Sequence, residues 1–210
     1  MWRKVFVAVA VLVSSVSEDA WCQNPLFNPD FDTDISGWAC QGIGTVVWSP
    51  ADVNASSGSG SMQIDNAATN PTGNSKIFCT QCVPLGTDLR VRLFAAASFA
   101  DDTGFFLAGS ARVQIMFSDD AGCLNAVDFS GVGILSTPPT PADQWWSVST
   151  GWTEVPPTAT HAQAILVSWA NVYAEPLRLY FDAVVLDVGV TIFADDFESS
   201  DLTKWFDAYP

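Results

Sequence analysis

Short segments in which polar and apolar residues alternate constrain this chain more than any other feature. Nine segments show the pattern, and turn-forming residues such as those at 56–60 and 70–74 separate them. They are 44–49, 61–65, 76–83, 88–98, 111–118, 125–129, 145–152, 162–170 and 177–188. A period of two places successive side chains on opposite faces of a β-strand. No stretch shows a long, capped helical period, so the sequence predicts an all-β, antiparallel sandwich.

Composition supports a folded chain and excludes some partners. Hydrophobic residues make up 49% of the 210 residues, which is enough to bury a core. The 23 acidic and 8 basic residues give a net charge of −15. Nucleic acids and anionic membrane surfaces require basic patches, so neither is predicted as a partner. The single histidine, His161, disfavours multi-histidine metal sites and leaves one candidate for a Ser-His-Asp triad.

The two ends of the chain differ in character from the middle. Arg3 and Lys4 precede an apolar run at 5–13 and small residues at 14–17, which is the order of a secretory signal peptide. The run is shorter than the roughly 20 residues that span a membrane. The sequence therefore predicts a signal peptide at 1–17, a domain at 18–189 and a tail at 190–210. The alternative for the first segment is a buried N-terminal strand.

Five cysteines suit an oxidising, extracellular compartment. Cys79 and Cys82 form a CxxC pair in a strand-like segment, whereas redox CxxC motifs lie at helix N-termini. A zinc ribbon would need a second CxxC pair. Alternation places Cys79 and Cys82 on opposite faces, so each is predicted to bond elsewhere: Cys82 with Cys123, and Cys40 with Cys79. Cys22 has no assigned partner.

The polar face of the alternating strands carries most of the rare basic side chains. Arg90, Arg92, Arg112 and Gln114 alternate with apolar residues, and Gln63 and Gln163 lie in similar positions, so we expect one shared polar sheet face. Amides and guanidinium groups hydrogen-bond sugar hydroxyls, and aromatic rings stack on pyranoses. The predicted ligand-binding residues are Trp48, Gln63, Arg90, Arg92, Arg112, Gln114, Gln163 and Trp169. Trp145, Trp146 and Tyr173 also lie where stacking is feasible, whereas Trp38 and Trp152 are predicted core or edge residues. The alternative is an ordinary solvated sheet face.

Five segments together resemble a known family. They are NPLFNPDFDTDISGW at 24–38, SGSGSMQI at 57–64, QCVPLGTDLRVRL at 81–93, WTEVPPTATHAQAILV at 152–167 and YFDAVVL at 180–186. Their order and spacing resemble carbohydrate-binding modules of the CenC type, families 4 and 9, over residues 24–188. The resemblance implies a jelly-roll, galactose-binding-domain-like sandwich, and it adds support to the Cys82–Cys123 pairing.

The same resemblance implies a structural calcium ion. The acidic position after the opening phenylalanine corresponds to Asp32, and the one in the last strand to Asp182. Backbone carbonyls at 58–60 would complete the oxygen cage. The alternative is a pair of surface or turn carboxylates. The tail at 190–210 resembles the endings of many secreted bacterial proteins, which implies sorting or surface display; a packed terminal strand is the alternative.

Catalytic signatures are weak in this sequence. Glycoside hydrolysis needs two carboxylates across a cleft, but the four glutamates lie near the termini or beside prolines in loops. No Gly-x-Ser-x-Gly elbow occurs, and His161 begins an ordinary strand. The sequence therefore predicts a non-catalytic, secreted or cell-surface module whose partner is a polysaccharide or oligosaccharide. The alternatives are a structural or adhesive sandwich without sugar binding and a small glycoside hydrolase.

Overall fold

The computed structural model describes residues 24–67, 75–86, 89–100, 109–136, 144–170 and 177–190. These residues form twelve β-strands and no helix. The strands are β1 (Ala39–Gly42), β2 (Gly44–Ser49), β3 (Ser61–Asn66), β4 (Ser75–Pro84), β5 (Leu89–Phe99), β6 (Gly109–Ser118), β7 (Ala126–Phe129), β8 (Gly133–Ser136), β9 (Trp146–Ser149), β10 (Thr153–Glu154), β11 (His161–Ala170) and β12 (Leu177–Val190). The predicted signal peptide, Cys22, Tyr173 and the tail beyond Val190 lie outside the described residues.

The strands pair into two antiparallel sheets. In the front sheet the order is β1-β4-β11-β6-β7, and β8 also pairs with β6. In the back sheet the order is β10-β5-β12-β3-β2, and β9 also pairs with β5. The predicted all-β, antiparallel sandwich is confirmed, and its arrangement is consistent with a jelly roll. In the part of the chain that the structure describes, no helix has the length and apolarity that a membrane span requires.

Burial follows the alternation that is visible in the sequence. Along β4, buried and half-buried residues alternate from Ser75 to Val83. The inward side chains of both sheets meet in one core, in which Phe99, Phe117 and Phe181 are almost completely buried. Removal of this apolar surface from water provides the main driving force for packing the two sheets together.

The segment before β1 is hydrogen-bonded to a bulge in β12. The pairing register between β12 and β5 shifts just after Asp182. There the Val184 N–H donates to the Pro29 carbonyl at 3.0 Å. The Asn24 side chain donates to the Val184 carbonyl at 2.8 Å and accepts from the Leu186 N–H at 3.1 Å. The Asn24 side chain therefore makes the hydrogen bonds to the β12 backbone that a neighbouring strand would make. These bonds hold the opening segment beside the bulge.

Both predicted disulfides are confirmed, and both join β4. Cys40 on β1 bonds to Cys79, with Cα atoms 4.1 Å apart. Cys82 bonds to Cys123 in the turn after β6, with Cα atoms 5.9 Å apart. Cys79 is buried and Cys82 is half-buried, as alternation along the strand requires.

Three differences from the predicted strands concern short edge elements. The alternation does not predict β1 or β8, which have four residues each. The predicted strand at 145–152 holds only β9, and β10 begins just beyond it, with Gly151 between the two strands at a φ of 76°. That left-handed backbone angle favours glycine and interrupts an extended strand.

Candidate functional site

Alternate side chains of β4, β11 and β6 point away from the core and form what we call the front face. Its members are Lys76, Phe78, Thr80, Arg112, Gln114, Met116, Gln163, Ile165, Val167 and Trp169. Gln163 lies opposite Met116, and Ile165 lies opposite Gln114. The front face therefore brings together four of the predicted ligand-binding residues: Arg112, Gln114, Gln163 and Trp169.

Trp169 lies between two cations on the front face. Lys76 Nζ is 3.7 Å from the centroid of the indole, and Arg112 Cζ is 3.5 Å from it. The cations come from β4 and β6, which flank β11 on opposite sides. Both contacts are short enough for cation–π attraction. The indole faces that a stacked pyranose would need are thus engaged by cations, and Trp169 acts as a platform for Lys76 and Arg112.

Arg112 is held in place from a second direction. Its Nε–H donates to the Ser110 hydroxyl at 2.8 Å. Burial lowers the pKa of Arg112, because the surrounding protein removes water from the guanidinium. The structure therefore presents a positioned, partly desolvated guanidinium group next to the amide of Gln114, two residues along the same strand.

Sequence reasoning missed three front-sheet residues that belong to this surface. Lys76 and Phe78 are half-buried on β4, and Phe129 on β7 is 50% exposed opposite Met116. The alternation in 76–83 puts Lys76 and Phe78 on the same side of their strand, opposite to buried Cys79. What was missing was the neighbour relation: sequence alone does not show that β4 pairs with β11.

The prediction that all the polar strand residues share one sheet face is wrong. Arg90 and Arg92 lie on β5 and Gln63 on β3, and both strands belong to the back sheet. Alternation fixes which side of its own strand a residue occupies, but it does not assign the strand to a sheet. Gln63, Arg90 and Arg92 are therefore on the opposite side of the sandwich from Arg112.

Polar side chains on the back sheet are largely engaged with one another. Arg92 pairs with Asp187 at 2.7 Å and lies over the Trp152 ring. Gln63 donates to both carboxylate oxygens of Asp65 at 3.1 and 3.2 Å. Asp65 is also held by Arg178 at 2.7 Å. Most of these polar groups are thus paired within the sheet, although Arg92 Nε is buried without a hydrogen-bond partner and Arg90 takes part in neither ion pair.

The remaining predicted aromatic residues lie away from the front face. Trp48 is on the edge strand β2, and its indole N–H donates to the Phe31 carbonyl at 2.7 Å. Trp145 packs against Tyr180 of the back sheet, and Trp146 lies on β9. Trp38 is 7% exposed, which confirms its predicted place in the core.

A second site is an acidic cavity of about 370 Å³ near the bulge of β12. Its lining consists of Asp30, Asp32, Asp52, Asn54, Ser56, Gly58, Ser59 and Asp182. Asp32, Asp182 and the 58–60 loop, which the family resemblance connected, therefore do meet in space. The docking of the opening segment against β12 brings these distant parts of the chain together.

Asp182 is the most buried carboxylate of this cavity, at 1% exposure. It accepts hydrogen bonds from the backbone N–H groups of Val53 at 2.8 Å and Ala183 at 2.6 Å. Burial nevertheless raises the pKa of Asp182 to about 6, with repulsion from Asp52 and Asp30 adding to the effect. The negative charge is therefore only partly compensated.

The other cavity carboxylates fall into two classes. Burial, and then the charges of Asp32 and Asp52, raise the pKa of Asp30. Hydrogen bonds lower the pKa of Asp52, chiefly from the Ser56 N–H at 2.8 Å and the Ser59 hydroxyl. Asp52 thus stays ionised and maintains a negative potential in the cavity.

The side chains that line the cavity offer oxygen ligands, from four carboxylates, two hydroxyls and one amide. Among the described residues, no three carboxylate, thiolate or imidazole groups are close enough together to hold a metal ion. Calcium differs from zinc in taking six to eight oxygen ligands, which include carbonyls and waters as well as carboxylates. The set fits calcium and lacks the nitrogen and sulfur ligands that zinc prefers.

No protein-family model matches the chain, and no curated protein is significantly similar to it in sequence. Several solved structures share its fold. The enzymatically active domain of bacteriophage CBA120 tailspike protein 4 is 16% identical with a TM-score of 0.55; the match covers 79% of this chain and 21% of the tailspike chain. A cyclase from Fischerella sp. TAU is 15% identical with a TM-score of 0.52, covering 79% of this chain and 96% of that one.

A carbohydrate-binding module also has a similar fold. TmCBM61, solved in complex with β-1,4-galactotriose, is 15% identical with a TM-score of 0.51, and the match covers 78% of this chain and 97% of the module. At these identities the likeness establishes the β-sandwich fold alone. Assignment to the CenC-type families stays a prediction from the motifs.

Proposed function

We propose that this protein is a secreted, non-catalytic carbohydrate-binding module whose glycan lies on the front face. The supporting observation is that one outward sheet face brings together Arg112, Gln114 and Gln163 beside Trp169. The fold shared with TmCBM61 adds support. The two disulfides support an oxidising, extracellular location, because such bonds persist outside the reducing cytosol.

The front face offers the two kinds of contact that sugars use. Gln114 and Gln163 each present an amide donor and acceptor, and both side chains are half-buried rather than fully exposed. Phe129 is 50% exposed and supplies an apolar ring, while Trp169 positions the cations. A pyranose bound over the sheet would replace hydrogen bonds between its hydroxyls and water with hydrogen bonds to the two amides. It would also cover apolar surface.

The test is binding to a panel of soluble and insoluble polysaccharides, measured by affinity electrophoresis and pull-down. Gln163→Ala and Gln114→Ala are each expected to weaken binding by roughly tenfold, the effect of losing one or two sugar hydrogen bonds. Gln63→Ala is the matched control, because it removes the same side chain from the back sheet. Absence of binding to every glycan, or equal loss in the control, would refute the proposal. Release of reducing sugar would instead reveal a hydrolase.

We further propose that the acidic cavity binds a structural calcium ion through Asp32 and Asp182, with Asp30 and Asp52 contributing negative charge. The raised pKa values of Asp30 and Asp182 support this, since a cation relieves both the burial and the repulsion of ionised carboxylates. Oxygen atoms of the 52–59 loop would provide further ligands.

Calcium binding is tested by thermal melting with added calcium, with magnesium and with chelator. Calcium is expected to raise the melting temperature and magnesium to have little effect, because magnesium requires a smaller, strictly octahedral site. Asp32→Asn should abolish the shift, whereas Asp119→Asn, a change in an exposed turn, should retain it. Equal melting temperatures with calcium and with chelator would refute the proposal.

A further inference from the structure

Among the described residues, some lysine and arginine side chains form ion pairs with carboxylates and others do not. Arg92 and Arg178 on the back sheet form ion pairs with Asp187 and Asp65, each at 2.7 Å. Those are the two ion pairs within the described ranges. Lys76 and Arg112 on the front sheet take part in neither, and nor does the exposed Arg90 on the back sheet. Unlike Arg90, which is solvated, Lys76 and Arg112 lie against the Trp169 ring.

Acidic residues are absent from the strands that build the middle of the front face. The chain has 23 aspartates and glutamates, yet the sequences of β4, β6 and β11 contain none of them. The front-sheet strands described here include one carboxylate, Asp128 on the edge strand β7, and it pairs with the inward position Phe117. The front face is therefore a positive area on a strongly acidic protein.

The positive groups are also fixed in position. Trp169 contacts both, and Ser110 accepts from Arg112 at 2.8 Å. A pre-positioned side chain loses less conformational entropy when a ligand binds. Burial lowers the pKa of Arg112, which means that this charge has lost hydration without gaining a carboxylate within the described residues. An incoming anion would supply that missing counter-charge through charge-assisted hydrogen bonds.

From this arrangement we infer that the glycan is anionic and that its carboxylate or sulfate group binds at Lys76 and Arg112, beside Trp169. This inference rests on the proposed function, because it assigns the chemical class of the ligand on the same face. Uronates and sulfated sugars share an anionic group next to a pyranose ring. Arginine binds either group through two parallel hydrogen bonds, and lysine adds a point charge. The sugar hydroxyls then meet Gln114 and Gln163.

Because the overall charge is −15, an anionic glycan can bind favourably at the positive front face but not over most of the surface. A polyanion is repelled by most of the surface, and like-charge contacts disfavour wrong binding positions. The ligand therefore aligns with its anionic group on the positive front face. A neutral glycan would leave Lys76 and Arg112 without a charged partner.

The experiment compares ligands that differ in charge alone, by titration calorimetry. Oligogalacturonate is paired with its methyl ester, and a sulfated galactan oligosaccharide with its desulfated form. The charged member of at least one pair is expected to bind about tenfold or more tightly than its neutral partner. Lys76→Gln and Arg112→Gln should each remove most of that preference, while Arg90→Gln, on the back sheet, should retain it. Melting curves establish that the variants are folded. If Arg112→Gln does not fold, Lys76→Gln alone tests the site.

Each outcome separates this inference from the proposed function. Preference for oligogalacturonate identifies a carboxylate ligand, and preference for the sulfated galactan identifies a sulfate ligand. Equal binding of charged and neutral partners overturns the anionic ligand but leaves carbohydrate binding intact. Preference that survives in both Lys76→Gln and Arg112→Gln overturns the assigned site. If no glycan of either kind binds, both the inference and the proposed function fall.

Discussion

At the scale of single residues, Asp182 links the bulge of β12 to the pH dependence of stability. Its pKa lies at about 6 in the folded protein, above the ordinary value of 3.8. Between those values the folded state binds a proton that the unfolded state has released. The contribution of Asp182 to the free energy of unfolding is therefore fully present below pH 4 and is lost as the pH rises through 6.

We expect this loss to be on the order of 3 kcal/mol between pH 4 and pH 7 in the presence of chelator. The measurement is urea unfolding of the wild type and Asp182→Asn across that pH range. The free energy of unfolding of the wild type should fall relative to that of the variant as the pH rises, since asparagine does not titrate. Parallel pH profiles would show that Asp182 is ionised normally in the folded state. Asp119→Asn, in an exposed turn, is the control and should follow the wild type.

At the scale of secondary-structure elements, alternation predicts the long strands but misses the short edge strands β1, β8 and β10. It predicts a strand at 76–83, and β4 runs over Ser75–Pro84. In contrast, all four residues of β1 are exposed, so no buried side chains mark its period. β8 begins at a buried glycine, which carries no side chain to signal a face. Short edge strands owe their structure to a neighbouring strand, and that neighbour is distant in sequence.

Alternation also leaves the sheet assignment of each strand undetermined. Arg92 and Arg112 lie in segments with the same polar–apolar pattern, yet β5 and β6 belong to different sheets. The types of residue in the candidate site could therefore be predicted from the sequence. Which of those residues share a sheet face could be predicted only in part. Arg112, Gln114, Gln163 and Trp169 share a face, whereas Gln63, Arg90 and Arg92 do not. Long-range pairing, which decides this, has no signal in a local pattern.

Gly133 tests how closely the edges of the two sheets approach each other. A Cβ atom at this position in β8 would overlap the backbone carbonyl of Ser149 in β9, across the gap between the sheets. Gly133→Ala is therefore expected to lower the free energy of unfolding by about 1–3 kcal/mol, as overpacking does. At Gly131 the nearest atom would be 3.7 Å away, so Gly131→Ala is the matched control. Urea unfolding compares them, and equal stability of the two variants would contradict the close approach.

At the scale of the whole molecule, charge and covalent bonding both centre on the front sheet. Its three central strands contain no carboxylate, and its strand β4 carries both disulfides. β4 is thereby tied to β1 by a bond from buried Cys79 to exposed Cys40, and to the turn after β6 by a bond from half-buried Cys82 to buried Cys123. The same strand contributes Lys76 and Phe78 to the front face. Anchoring β4 on both sides fixes the distance between Lys76 and its neighbours on β11.

The two disulfides are expected to contribute unequally to stability, although they close loops of similar length. The bonded residues are separated by 39 and 41 positions, so the chain-entropy model assigns each bond about 4 kcal/mol. Replacing Cys79 also leaves a void in the hydrophobic core, whereas Cys123, which is buried too, lies in the turn after β6 and outside that core. The Cys40→Ala/Cys79→Ala variant should therefore lose about 1 kcal/mol more than the Cys82→Ala/Cys123→Ala variant. Urea unfolding of both, beside the reduced wild type, measures the difference. An equal loss, or the reverse order, would show that the Cys40–Cys79 bond adds nothing beyond loop closure.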